Sequence, residues 1–129
     1  MIEMKTKFAY TGIRVKDLQQ SVEFYTRVLE MKETGRSRIE RNRGQVVSLT
    51  THEEGPVLEL NYYEGDSPFN AEYVVGEGID HLAFQVDDLD RALAEARRAG
   101  YPSVLEVKTE TSRWAYIKDP NGIFIELFS

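Results

Sequence analysis

The chain has 129 residues, 41% hydrophobic and 29% charged, which is the make-up of one ordinary globular domain rather than a disordered segment. Its net charge is −6 and its lysines and arginines are scattered rather than striped, which argues against a nucleic-acid partner. There is no cysteine, which excludes disulfides, a thiolate nucleophile and a thiolate metal site.

MIEMKTKFAYTGIRV holds no apolar run long enough for a signal peptide, and no later segment approaches a membrane span. The expectation is a cytoplasmic protein with no membrane partner. The stretch from Tyr10 reads as a short strand and then a helix, capped by Asp17, with Leu18, Val22, Tyr25 and Leu29 on one face. Strands follow at roughly 36–42, 45–51 and 56–63. EGDSPFNAEYVVGE, residues 64–77, reads as a linker. A strand from His81 then leads into a second helix, capped by Asp88, with Leu89, Leu93 and Ala96 on one face. Gly100 ends that helix after Arg97 and Arg98, whose charges suit a C-terminus. Further strands fall at 103–109, 113–118 and 123–128, and DPNG at 119–122 is a turn signal.

The two halves repeat. YTGIRVKDLQQSV lies over HLAFQVDDLDRAL without a gap, and GPVLEL at Gly55 lies over GIFIEL at Gly122, placing Glu59 over Glu126. Such order implies a duplicated βαβββ unit, each copy too small to cover its own apolar face. The expected architecture is α+β, with residues 1–129 as a single domain. Its first module covers about 7–63, its linker about 64–77 and its second module about 78–129.

Strand parity separates two faces. Leu82, Phe84 and Val86 suit the side beneath a helix, and Ile79, His81, Ala83 and Gln85 point the other way. Tyr10, Gly12 and Arg14 oppose Ala9, Thr11, Ile13 and Val15. Glu59 shares a face with Val57, Asn61 and Tyr63, and Glu126 with Phe124 and Phe128. A helix-free face mixing carboxylates, a histidine and aromatics implies a cup. A carboxylate inside an apolar strand is costly unless a cation or a salt bridge meets it. Taken singly, each residue is better read as structural. Taken together at corresponding positions of a repeat, His81, Glu59 and Glu126 favour metal ligation, by an ion the residues alone do not choose. His52, in TTHEEG, reads as an exposed turn residue; Trp114 and Tyr116 share a parity, as core or as cavity wall.

YTGIRVKDLQQSVEFYTRVLEM, GIDHLAFQVDDL and IKDPNGIFIEL together resemble the vicinal oxygen chelate superfamily, which includes glyoxalase I, epimerases, extradiol dioxygenases and bleomycin-binding proteins. The resemblance covers nearly the whole chain and is strongest to glyoxalase I. It implies a U-shaped, glyoxalase-like cup of paired modules, commonly completed across a homodimer. It also implies one divalent ion, zinc or nickel foremost, held by Glu59, His81 and Glu126. Glu126 or Glu59 would then serve as the catalytic base of a lyase or isomerase acting on a small oxygenated substrate. Tyr10, Arg14 and Tyr63 would contact that substrate. Tyr10 stands where glyoxalase I has His or Gln as fourth ligand, Tyr63 where it has Asn, and Glu30 where Gly commonly precedes the Met. The alternative the resemblance carries is a non-catalytic drug-binding protein of the bleomycin-resistance type.

Overall fold

The computed structural model describes residues 10–75, 77, 79 and 81–129, the Arg41 side chain excepted. The expected module starts at 7 and 78, and the side-chain direction of Ala9, lie outside the described residues. In the first half, β1 (Thr11–Arg14) leads into helix α1 (Leu18–Glu23), followed by β2 (Lys32–Ile39), β3 (Gly44–Thr50) and β4 (Leu58–Tyr63). The second half repeats this order with β5 (His81–Gln85), α2 (Leu89–Arg98), β6 (Leu105–Lys108), β7 (Arg113–Lys118) and β8 (Phe124–Phe128). The result is two four-stranded mixed sheets, ordered β1-β4-β3-β2 and β5-β8-β7-β6. In each, only the first and last strands of the unit pair in parallel. Among the described residues no helix is long and apolar enough to cross a membrane.

Both helices begin where an aspartate side chain takes an orphan backbone donor. Asp17 Oδ1 accepts from Gln20 N at 3.0 Å, and Asp88 Oδ1 from Arg91 N at 3.1 Å. α2 ends in a left-handed Gly100 at φ 101°, with Tyr101 N bonded back to Ala96 O at 2.8 Å. The first helix departs from the simple period. Phe24–Val28 form a π-helical turn, and Met31 N reaches Tyr25 O at 3.0 Å. The widened turn lets the adjacent Phe24 and Tyr25 both be buried. Glu30, just before Met31, sits at φ 57°, where a side chain costs about 1–2 kcal/mol relative to glycine.

β4 and β6 begin two residues later than expected, at Leu58 and Leu105, and β2 differs most. β2 starts at Lys32 and stops at Ile39, where Glu40–Asn42 turn as a short 3-10 segment instead of continuing the strand. Every residue of β2 is exposed. No apolar alternation marks it, and pairing to β3 holds it.

Ile13, Val47, Leu49, Leu58 and Leu60 are buried on the helix side of the first sheet, and Ala115, Ile117, Ile125 and Leu127 on that of the second. Between the modules runs a buried polar network. Asp119, 4% exposed, accepts from Tyr25 OH at 2.9 Å and from the backbone N of Asn121 and Ile123, each at 2.8 Å. Asn121, 1% exposed, donates to Ser21 Oγ at 3.0 Å and accepts from Lys16 N at 2.7 Å. The DPNG turn therefore also grips the helix of the other half. Phe24 extends the contact, stacking edge-on against Tyr101 at 4.6 Å.

Burial, and then the neighbouring Asp119 charge, push the Tyr25 phenol well above its ordinary 10.0. Native Tyr25 thus keeps a proton that the unfolded chain gives up near pH 10, so this contribution is lost as pH rises from there toward the folded value. The slope approaches about 1.4 kcal/mol per pH unit. Tyr73 and Tyr101, raised chiefly by burial, act in the same direction. Urea unfolding between about pH 9 and 11 should therefore show a shallower alkaline loss in Tyr25→Phe than in the parent. Equal slopes would refute the assignment.

Candidate functional site

Each sheet turns its second face away from the core, and the register shows what lies on it. Across the second sheet, Ala83, Glu126, Tyr116 and Leu105 stand opposite one another in one row. Across the first, the matching row is Gly12, Glu59, Ser48 and Gly35. The repeat is thus kept to the residue, with one carboxylate at the same place in each sheet.

In the second sheet His81 pairs with Phe124, two residues before Glu126 on the same face. The Tyr116 ring meets His81 edge-on at 6.0 Å and Phe124 at 6.4 Å, and its hydroxyl donates to Glu126 Oε1 at 2.9 Å. Tyr116 therefore stands on the face away from the core, and it joins His81 to Glu126. In the first sheet Thr11 N bonds to Val57 O at 3.1 Å, which sets Tyr10 at the position His81 holds in the second. Tyr10 is 52% exposed. Its ring is open to whatever covers this edge.

Arg14 has a partner that the sequence did not reveal. Its Nη2 donates to Asn70 Oδ1 at 2.6 Å, and its guanidinium lies 5.6 Å from the Tyr73 ring centre. Tyr63 stacks on Phe69 at 5.5 Å. Asn70, Tyr73 and Phe69 all belong to the linker, whose composition marks it only as a connection. His52 is exposed in a bend, as expected.

The residues divide into two half-sites. His81 and Glu126 lie together on the second sheet, and Tyr10 and Glu59 on the first. Among the described residues, no three of His, Asp and Glu come close enough to hold an ion within one chain. A cavity of about 740 Å³ lies on the helix side between the modules, against Leu82, Phe84 and Val86. It contains none of the four half-site residues. The donor set nevertheless suits a borderline divalent ion. One imidazole and two carboxylates provide three side-chain ligands and leave positions open.

A sequence model described as the Glyoxalase/Bleomycin resistance protein/Dioxygenase superfamily matches residues 7–127. The chain is 35% identical to the lactoylglutathione lyase of Escherichia coli O157:H7, over 94% of this chain and 90% of that one. It is 32% identical to a probable lactoylglutathione lyase of Vibrio parahaemolyticus, over 94% and 88%. The trypanothione-dependent glyoxalase I of Leishmania major superposes with a TM-score of 0.78 at 29% identity, over 97% of this chain and 87% of that one. Repeat, topology and sequence agree: the chain belongs to the Glyoxalase/Bleomycin resistance protein/Dioxygenase superfamily.

Proposed function

We propose that this protein is a metal-dependent lyase or isomerase of the lactoylglutathione lyase type, working as a homodimer. The observation that carries the reading is the matched pair of half-sites, which among the described residues do not form a group of three ligands within one chain. Glu59 of one copy would face His81 and Glu126 of another, a symmetric arrangement that forms two such sites per dimer. Glu59 on β4 and Glu126 on β8 each lie one strand in from a sheet edge, β1 and β5, and among the described residues those edges are paired on one side only.

A divalent ion held there supplies Lewis-acid polarisation of neighbouring substrate oxygens. The chain's own residues do the rest. Glu126 or Glu59 takes the proton from the carbon beside the carbonyl and returns it to the adjacent carbon, so the substrate is isomerised and needs no oxidant. Tyr10 offers its hydroxyl to a substrate oxygen. Arg14 meets an acidic group of the substrate, and Tyr63 flanks it. A neutral phenol is a poor ligand, so Tyr10 donates rather than coordinates.

Protein purified without chelator should carry close to one divalent ion per chain, zinc or nickel, and convert the glutathione–methylglyoxal adduct. Tyr10→Phe should keep metal affinity within about twofold while lowering turnover about 10-fold or more. Tyr10→His should bind metal more tightly by adding a fourth ligand. A large affinity loss in Tyr10→Phe would make the phenol a ligand. A protein that takes up neither zinc, nickel nor cobalt would leave the rival reading, a non-catalytic drug binder. Exposed Tyr10, Phe124 and Phe128 are the observation favouring that rival.

A further inference from the structure

The two carboxylates sit at equivalent places but in unlike company. Beside Glu126 the next strand supplies Tyr116, and beside Glu59 it supplies Ser48. Tyr116 OH lies 2.9 Å from Glu126 Oε1, a hydroxyl-to-carboxylate bond on a half-buried face. The ring itself has little freedom, since His81 and Phe124 both pack edge-on against it. Glu59 has no such tether: among the described residues its carboxylate accepts no side-chain hydrogen bond, and Ser48 does not reach it.

We infer that Tyr116 is a positioning residue, holding Glu126 Oε1 so that the other carboxylate oxygen faces the ligand beside His81. A free glutamate samples several rotamers, and ordering it opposes any binding that needs one of them. An outer hydrogen bond that orders the carboxylate in advance removes that opposition, as partners behind metal-ligating side chains do. Glu59, untethered, remains able to swing. The first half thus supplies an adaptable carboxylate and the second a fixed one. The inference rests on the proposed role of Glu126, so its test needs a readout that involves no metal.

Tyr116→Phe removes one oxygen and keeps the ring contacts, and an unchanged thermal melt would show that the fold survives. Side-chain NMR couplings of Glu126 and Glu59 in the metal-free parent, Tyr116→Phe and Ser48→Ala give the first readout. Glu126 should hold one rotamer in the parent and average in Tyr116→Phe, and Glu59 should average in all three. Competition titration with zinc and a chromophoric chelator gives the second. Tyr116→Phe should lose about 10-fold in affinity, the lower end of what outer-sphere partners contribute, and Ser48→Ala should stay within twofold. The inference is overturned if Glu126 averages in the parent as it does in Tyr116→Phe, or if zinc affinity is unchanged in the variant. A parent that binds no zinc, cobalt or nickel sinks the functional reading instead, and the couplings still decide whether Tyr116 fixes Glu126.

Discussion

Asp119→Ala should cost this protein about 3–5 kcal/mol, out of a total near 5–15 for a domain of this kind. Asp119 accepts from Tyr25 OH, Asn121 N, Asn121 Nδ2 and Ile123 N, all between 2.8 and 2.9 Å and all buried. Alanine leaves Tyr25 OH and the two backbone N–H groups buried without this acceptor, and Asn121 Nδ2 with Ser21 Oγ alone, and each orphan carries a desolvation penalty. The damage is not confined to a turn, because Tyr25 belongs to the first half and Asn121 to the second. Thermal unfolding should show a midpoint lowered by about 10–20 °C. Asp119→Asn should fall between, since one amide oxygen still serves the two backbone donors. A loss under about 1 kcal/mol in Asp119→Ala would mean that the network is not what joins the halves.

In the proposed site both glutamates face the reacting centre, so Glu59→Gln and Glu126→Gln should each lose activity about 10²–10⁴-fold. Mixing tells more than either alone. If each site takes Glu59 from one chain and His81 with Glu126 from another, refolding the two inactive variants together creates a new species. Half the dimers then hold one chain of each kind, and each of these has one site with both carboxylates intact. About a quarter of parental activity should return. A site built within one chain predicts no recovery at all. The mixture therefore tests the shared site directly, with each variant as the other's control.

Much of this fold could be read in the residues, and the reasons are local. Asp17, Asp88, Gly100 and DPNG act within a few residues of themselves, and each does in the structure what its chemistry implies. The strand at 113–118 agrees in full, because Ala115 and Ile117 alternate with outward side chains. The π-helical turn was hidden because Leu18, Val22, Tyr25 and Leu29 fit an ordinary helix equally well. β2 was misplaced because nothing along it is buried. Parity put Glu59, His81 and Glu126 on the faces away from the core, and the structure places them there. What they touch was another matter. Tyr116 reaches Glu126 only through the β7–β8 register, Asn70 reaches Arg14 from a linker, and Asn121 reaches Ser21 across 100 residues. Such partners are set by tertiary placement, and no periodicity records them.

The matched rows differ in how much side chain stands beside each carboxylate. Around Glu126 the row is filled by Ala83, Tyr116 and Leu105, whereas around Glu59 it holds only Gly12, Ser48 and Gly35. A methyl group built on Gly35 would touch nothing within 4 Å, and one on Gly12 would press Asn61 Nδ2 at 3.1 Å. Side-chain bulk beside the carboxylates is therefore concentrated over the second half of the repeat, while the first leaves open space at Gly35 and fills the space at Gly12 with Asn61. The two floors match in position and differ in bulk, one furnished and the other nearly bare. In the proposed site a bound molecule would find room for its bulk beside Gly35, on the half of the repeat that carries Glu59.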